Sequence, residues 1–231
     1  MTVKPCYRLA YTDLAVGVDG ISVAMLLLSA IIVFAGTFAS WKIEPLPKDF
    51  FLWLILLSTG VFGFFISIDL FTLPRCERTS KNDYGREKQH GYRNTVNTYR
   101  QMDIKRLLGI YYHSAPEGGQ LTMNLLEISA NDAIDHNWQY FLFPMTFVGF
   151  GVLGAMFPFH TWSPDGHASA PTAVSMLHAG VLMKLGGYGC FRVAIYLMPF
   201  AANELAWIFL ILTGISVVYG AFSACVQNDL K

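Results

Sequence analysis

The stretch FPFHTWSPDGHASAPTAVSMLHAGVLMKLGGYG, residues 157–189, decides how the chain folds. It begins as the end of one apolar segment, is interrupted at Pro164-Asp165-Gly166, and continues as a second apolar segment with Lys184 near its middle. A charged side chain at membrane depth costs about 2.5–3.5 kcal/mol on insertion scales, so it marks a candidate functional site. The structural alternative is a lysine that reaches the headgroups or pairs with a neighbouring carboxylate.

The composition predicts an integral membrane protein. Of the 231 residues, 54% are hydrophobic and 14% are charged, whereas a soluble domain carries about 25% charged residues. The formal net charge is zero, so no global charge favours binding to nucleic acid. The four cysteines are scattered without a Cys-x-x-Cys or His-Cys cluster, which favours neither a disulfide framework nor a metal site.

Long uncharged segments predict an all-α, polytopic membrane helix bundle with about five transmembrane helices, each able to cross about 30 Å of hydrocarbon. The predicted spans are residues 20–41, 50–73, 138–159, 172–198 and 205–227. They divide the chain into an N-terminal segment (1–73), a polar loop region (74–137) with a short helix near 121–128, and a core segment (138–231). Residues 163–171 are expected to break the helices, either as the lining of a hydrated half-channel or as an ordinary loop capped by Asp165.

The polar residues inside the predicted spans favour proton or cation handling over enzyme chemistry, because no nucleophile, base and orienting group stand together. Burial disfavours a charged lysine and a nearby carboxylate favours it, so movement of a charge partner could load and unload Lys184. On a regular helix Tyr188 shares the face of Lys184, whereas His178 lies about 240° away. His178 is therefore equally compatible with a proton relay and with a packing role.

The motifs FPFHTW, SPDGHASAPTAVS and AGVLMKLGGYG resemble those of subunit M (subunit 4 in mitochondria), the antiporter-like chain family of respiratory NADH:quinone oxidoreductase, complex I. VDGIS at residues 18–22 and GAFSACVQNDLK at residues 220–231 extend the resemblance. It covers about residues 14–73 and 138–231, and it implies related folds in multisubunit sodium/proton antiporters and membrane-bound hydrogenases.

The resemblance implies that Lys184 is the central proton-relay lysine and that Lys231 is the next one. His160, Asp165 and His167 fall on the family's histidine and on the turn that follows it, and His160 joins His178 as a candidate relay residue. Tyr188 is a candidate channel residue on the Lys184 face.

The resemblance also implies the setting in which the chain works. Quinone reduction in other subunits, which hold NADH, FMN, iron–sulfur clusters and quinone, would drive proton movement along membrane lysines. No cofactor or metal is expected in this chain. The expected partners are the sibling antiporter-like subunits and the lipid bilayer, with no nucleic acid. The expected location is the bacterial cytoplasmic membrane, with the mitochondrial inner membrane as the alternative.

The sequence departs from the family pattern between residues 74 and 106, where nine of the 16 Lys and Arg residues lie. Family members carry there a helix with the glutamate that controls the relay lysine. A frameshifted reading of this segment and a truncated chain form one hypothesis, and a divergent native loop is the other. Two rival functions also stay open: a subunit of a multisubunit Na+/H+ antiporter or membrane-bound hydrogenase, and a non-transporting structural fragment.

Overall fold

The structure is a computed structural model that describes residues 8–9, 12–13, 16–41, 47–68, 109–110, 123–130, 134–169 and 172–227. Its helices are α1 Gly20–Ala39, α2 Pro47–Ile66, α3 Leu125–Ala130, α4 His136–Leu153, α5 Trp162–Ser169, α6 Thr172–Leu177, α7 Met183–Gly189 and α8 Pro199–Val226. The short antiparallel pair of β1 (Arg8–Leu9) and β2 (Thr12–Asp13) adds to the predicted helical fold. The segment 74–106 lies outside the described residues, so neither hypothesis about it is tested.

Residues 172–197 form one continuous helical run, here called the Lys184 helix. Within it, α6 and α7 are joined by a π-helical segment, His178–Leu182, and a second π-helical segment, Cys190–Ile195, follows α7. A π-helical turn pairs residues five apart rather than four, and such turns are frequent at functional sites. The run agrees with the span predicted for residues 172–198 but is less regular than that prediction assumed.

Helix α1 begins where the sequence predicts it. Asp19 is the N-cap, and its Oδ1 accepts the backbone N–H of Ser22 at 2.8 Å. The carboxylate thus satisfies one of the N–H groups that a helix start leaves without a partner, and it suits the positive end of the helix dipole.

Helix α2 ends earlier than the predicted span of residues 50–73 because the chain turns into a different backbone pairing. The carbonyl of Ile66 accepts the N–H of Gly17 at 3.0 Å, and Ser67 pairs with Val16 in an antiparallel bridge. Helix α4 also ends early, at Leu153. The cause there is local and lies in residues 154–156.

Gly154, Ala155 and Met156 close α4 with a Schellman motif. Ala155 adopts a left-handed conformation with φ of 55°. Its N–H donates to Val152 at 3.2 Å, and the N–H of Met156 donates to Gly151 at 2.8 Å. These two bonds satisfy carbonyl groups at the helix end and stop its continuation.

The predicted break is wrong for residues 163–169, because residues Trp162–Ser169 form helix α5, and residues 170–171 lie outside the described residues. Pro164 is the third residue of this helix, a position where an N–H has no partner within the helix, so proline is tolerated. The irregular backbone lies just before it, at residues 154–161. Asp165 and His167 therefore lie on a helix, not in a loop, and His160 lies in the irregular stretch.

Each predicted span contains a helix, and two of them, Gly20–Ala39 and Pro199–Val226, are long and apolar enough to cross a membrane. A shorter apolar stretch, Phe50–Ile66, lies within α2. Both long helices expose large apolar side chains to their surroundings, including Leu27, Phe34, Trp207, Leu210 and Phe222. Such faces are typical of helices that meet lipid or another chain.

The Lys184 helix contacts α1, α2, α4 and α8. Glycine sets its separation from α4. A Cβ atom on Gly186 would lie 2.5 Å from the backbone nitrogen of Gly154 and 2.6 Å from the carbonyl oxygen of Phe150. Residues without a side chain let two helix backbones approach closely, as in many membrane helix pairs.

Replacement of Gly186 by alanine should therefore destabilise the bundle, because the new methyl group would meet backbone atoms that cannot move independently. We expect a loss of about 1–3 kcal/mol in unfolding free energy, the usual cost of overpacking. Gly187→Ala is the matched control, since a Cβ there meets nothing within 4 Å. Thermal unfolding in detergent measures both, and equal melting temperatures for the two variants would contradict the close contact.

Candidate functional site

Lys184 lies at a cavity of about 630 Å³. Side chains or backbone from α1, α4, the Lys184 helix and α8 line it, including Met25, Phe147, Phe150, Met156, Phe191 and Val217. The lining is largely apolar, and among the described residues that form it Lys184 carries the only full charge. Lys184 is exposed, whereas Leu185 and Gly186 beside it are buried against the bundle. Within the described part of the chain no carboxylate pairs with the Lys184 ammonium group.

Tyr188 lies one helical turn after Lys184 and lines the same cavity. Its hydroxyl lies 2.8 Å from Ser22 Oγ of α1 and 3.4 Å from the carbonyl oxygen of Phe65 in α2, to which it donates. The ring packs edge-on against Phe64 and Phe65. Tyr188 therefore connects three helices, and the predicted channel residue is a buried, hydrogen-bonded part of the core.

An ion pair lies further along the Lys184 helix. Nη1 of Arg192 donates to Oδ2 of Asp19, the residue that caps α1. Only 11% and 10% of the two side-chain surfaces, respectively, are exposed. Burial alone would raise the pKa of the Asp19 carboxyl, but its hydrogen bonds from Ser22 and the charge of Arg192 outweigh burial and hold that pKa below its ordinary value.

His167 and His178 come together between α5 and the Lys184 helix. Their ring centroids are 4.9 Å apart with the planes at 82°, and Trp162 packs edge-on against His178 at 5.2 Å. Nδ1 of His167 lies 2.9 Å from Ser175 Oγ. Burial lowers the pKa of the His167 imidazole, because loss of water disfavours the charged ring. The two rings and the serine form a short polar cluster that could pass a proton between helices.

His160 lies apart from the other histidines, against α8. Its ring packs on Phe157 and Tyr219, with centroids 5.7 Å and 4.7 Å away. Nδ1 is buried, and no described residue hydrogen-bonds it. The nearby N–H of Phe157 donates to Ser216 Oγ of α8 at 3.2 Å, which fixes the irregular stretch against this helix.

The predicted site residues thus fall into three places. Lys184 and Tyr188 share the cavity, His167 and His178 share a cluster, and His160 is separate. The side chain of Asp165 and the whole of Lys231 lie outside the described residues, so their predicted roles stay predictions. In the described ranges no group of three or more His, Cys, Asp or Glu side chains could hold a metal ion.

Sequence reasoning assigned Asp19 only to the start of α1, and it gave Ser22 and Arg192 no role in the site. The signal for Arg192 is that it is a second cation in the otherwise uncharged span of residues 172–198. Its partner is 173 positions away in sequence, and Ser22 is 166 positions from Tyr188. One sequence alone holds no signal that pairs residues at such separations.

A double-mutant cycle should detect the contact between Ser22 and Tyr188. Ser22→Ala and Tyr188→Phe each remove one hydroxyl, and a buried hydrogen bond contributes about 0.5–1.5 kcal/mol. Because both variants break the same bond, their effects on thermal stability in detergent should not add. Thr59→Val, which removes an exposed hydroxyl bonded only within α2, should add to Tyr188→Phe. Additive effects in both cycles would contradict the contact.

Comparison with known proteins gives a matching family of transmembrane proteins and similar curated chains. The family model described as "NADH:quinone oxidoreductase/Mrp antiporter, TM" matches residues 102–231, more than half of the chain. NAD(P)H-quinone oxidoreductase chain 4-2 of Synechocystis sp. is 31% identical, and chain 4 2 of Microcystis aeruginosa is 32% identical. Both alignments cover 94% of this chain and 40% of the relative. The chain thus spans about 40% of the length of these curated relatives.

Solved structures show the same fold. A chain in the structure of respiratory complex I from Thermus thermophilus with bound NADH superposes with a TM-score of 0.78 at 24% identity, over 94% of this chain and 47% of that one. The membrane-bound sulfane sulfur reductase, an archaeal respiratory membrane complex, gives a TM-score of 0.67 at 23% identity, over 80% of this chain and 31% of that one.

These findings confirm the resemblance to subunit-4-type chains that the motifs around Lys184 indicate. They also agree with the two long apolar helices, since the matching family is a transmembrane one. The chain belongs to the NADH:quinone oxidoreductase/Mrp antiporter family of integral membrane proteins.

Proposed function

We propose that this chain is a membrane subunit of a proton-pumping NADH:quinone oxidoreductase and that Lys184 carries protons through it. One observation carries the proposal: Lys184 lies at the wall of a largely apolar cavity between helices, and no described carboxylate pairs with its ammonium group. A cation in such a place changes its proton affinity when a charge partner approaches or withdraws, which is what a relay needs. The family membership supplies the setting.

The remaining parts of the relay extend this proposal. His167 and His178 would pass protons between α5 and the Lys184 helix, and His160 would act beside α8. Lys231 would receive the proton next, and Asp165 and Tyr188 would line its route. Tyr188 supports this role because it lines the cavity of Lys184 and its hydroxyl is hydrogen-bonded to Ser22.

The wider setting is part of the same proposal. The helices cross the bilayer as five spans, and the chain lies in the bacterial cytoplasmic membrane beside sibling antiporter-like subunits. It performs no redox chemistry itself, and NADH, FMN, iron–sulfur clusters and quinone belong to other subunits. The solved complexes that share the fold support this division, since both are respiratory assemblies.

Replacement of Lys184 by glutamine tests the central claim. We expect proton uptake into inverted membrane vesicles to be lost on addition of NADH, while the amount of assembled complex stays the same. Lys48→Gln is the matched control, because Lys48 is an exposed cation in the first turn of α2, away from the cavity. Full proton uptake by the Lys184→Gln complex would contradict the proposal.

The rival function is a subunit of a cation/proton antiporter without redox partners, which the family description also covers. Mass spectrometry of the proteins that co-purify with the chain from gently solubilised membranes separates the two. We expect flavin and iron–sulfur subunits together with NADH oxidation. Co-purification of small antiporter subunits without redox proteins would replace our proposal with the rival.

A further inference from the structure

The ion pair between Asp19 and Arg192 joins the start of α1 to the Lys184 helix. The guanidinium donates through Nη1 to Oδ2 of the carboxylate, and both side chains are about nine-tenths buried, with 10% and 11% of their surfaces exposed. The same carboxylate caps α1 through its other oxygen, which accepts the N–H of Ser22. One side chain therefore fixes both the first turn of α1 and the position of the arginine.

Ser22 extends this contact to the cavity. Its side chain is 1% exposed, and its hydroxyl lies 2.8 Å from the hydroxyl of Tyr188. Ile21 and Met25, its neighbours on α1, line the cavity together with Lys184 and Tyr188. A connected set of contacts thus runs from Arg192 through the first turn of α1 to the wall beside Lys184.

Removal of either charge of the ion pair should be costly. A buried charge whose partner is removed is destabilised, because the remaining group has lost water and gained nothing in exchange. Nε of Arg192 is already buried without a partner among the described residues. Loss of the Asp19 charge would leave the guanidinium without a carboxylate, beside the ring of Tyr196 at 5.8 Å, and the arginine would be expected to move toward water.

We propose that the Asp19–Arg192 ion pair is a positioning device for the relay. It holds the first turn of α1 against the Lys184 helix, and through Ser22 it fixes the side chain of Tyr188, which lines the same cavity as Lys184. The proposal rests on the proposed function of Lys184. Asp19 and Arg192 carry no proton in it; they set the distance between α1 and the relay lysine.

Thiol labelling of a Ser22→Cys variant measures the position of α1 without any proton transport. In the native complex, N-ethylmaleimide should react slowly with the buried cysteine, and the same variant unfolded in denaturant gives the full rate of reaction. Peptide-resolved mass spectrometry reads position 22 separately from the native cysteines, so these can stay. Arg192→Gln should raise labelling at position 22 towards the rate of the unfolded protein, and Arg192→Lys should restore protection.

Three variants separate ion pairing from other effects. Asp19→Asn keeps a side-chain oxygen that can cap α1 but removes the charge, so it should resemble Arg192→Gln. The double variant Asp19→Asn, Arg192→Gln should show no more labelling at position 22 than either single variant, because both changes break the same ion pair. Lys48→Gln, which removes an exposed cation from α2, should leave labelling unchanged.

Proton uptake per assembled complex then tests the link to the relay. Arg192→Gln should lose uptake, and Arg192→Lys should retain most of it. Unchanged labelling in Arg192→Gln would overturn the positioning proposal, whatever the proton uptake of the Lys184→Gln complex is. Increased labelling with full uptake per assembled complex would show a structural contact only, and would equally overturn it. Full uptake in Lys184→Gln, by contrast, overturns the proposed function and leaves the labelling result standing.

Discussion

The contact between the backbones of Gly186 and Gly154 determines where Lys184 lies. With no side chain between them, the Lys184 helix and α4 meet at a fixed distance and rotation. Leu185 and Gly186 then face the bundle, and Lys184 faces the cavity. A larger residue at position 186 would separate the helices and change the depth of the cavity. The charge is thus positioned by two residues that have no side chain of their own.

Two cations on one helix illustrate two ways of placing a charge in an apolar bundle. Arg192 has a carboxylate partner from α1, so its charge is compensated and its position is fixed. Lys184, eight residues earlier and about 12 Å along the axis, meets a cavity and no described counter-charge. The carboxylate thus anchors Arg192 to α1, whereas the Lys184 ammonium group stands beside a cavity.

The sequence predicts the helices well because long uncharged runs have few other structures open to them. It predicts their ends less well. The end of α2 depends on Gly17, which is 49 positions before Ile66 and pairs with its carbonyl. The Pro164-Asp165-Gly166 motif reads as a turn, yet Pro164 occupies the first turn of α5, where proline is allowed. His178 does not line the cavity of Lys184, and its neighbour His167 lies on another helix. Contacts between distant residues account for the end of α2 and for the neighbour of His178, whereas the place of Pro164 follows from its own helix.

The two π-helical segments affect how this helix should be compared with its relatives. A wide turn holds one residue more than an α-helical turn, so a chain with one residue fewer at 178–182 could regain regular geometry without moving its ends. Deletions of a single residue are therefore tolerated best at 178–182 and 190–195. Elsewhere in the run they would rotate every later side chain by about 100°. The position of a one-residue gap in an alignment of this helix with a relative therefore has structural meaning. A gap within a π-helical segment keeps the lysine on the same face of the helix, and a gap between the two segments turns that face away from the cavity.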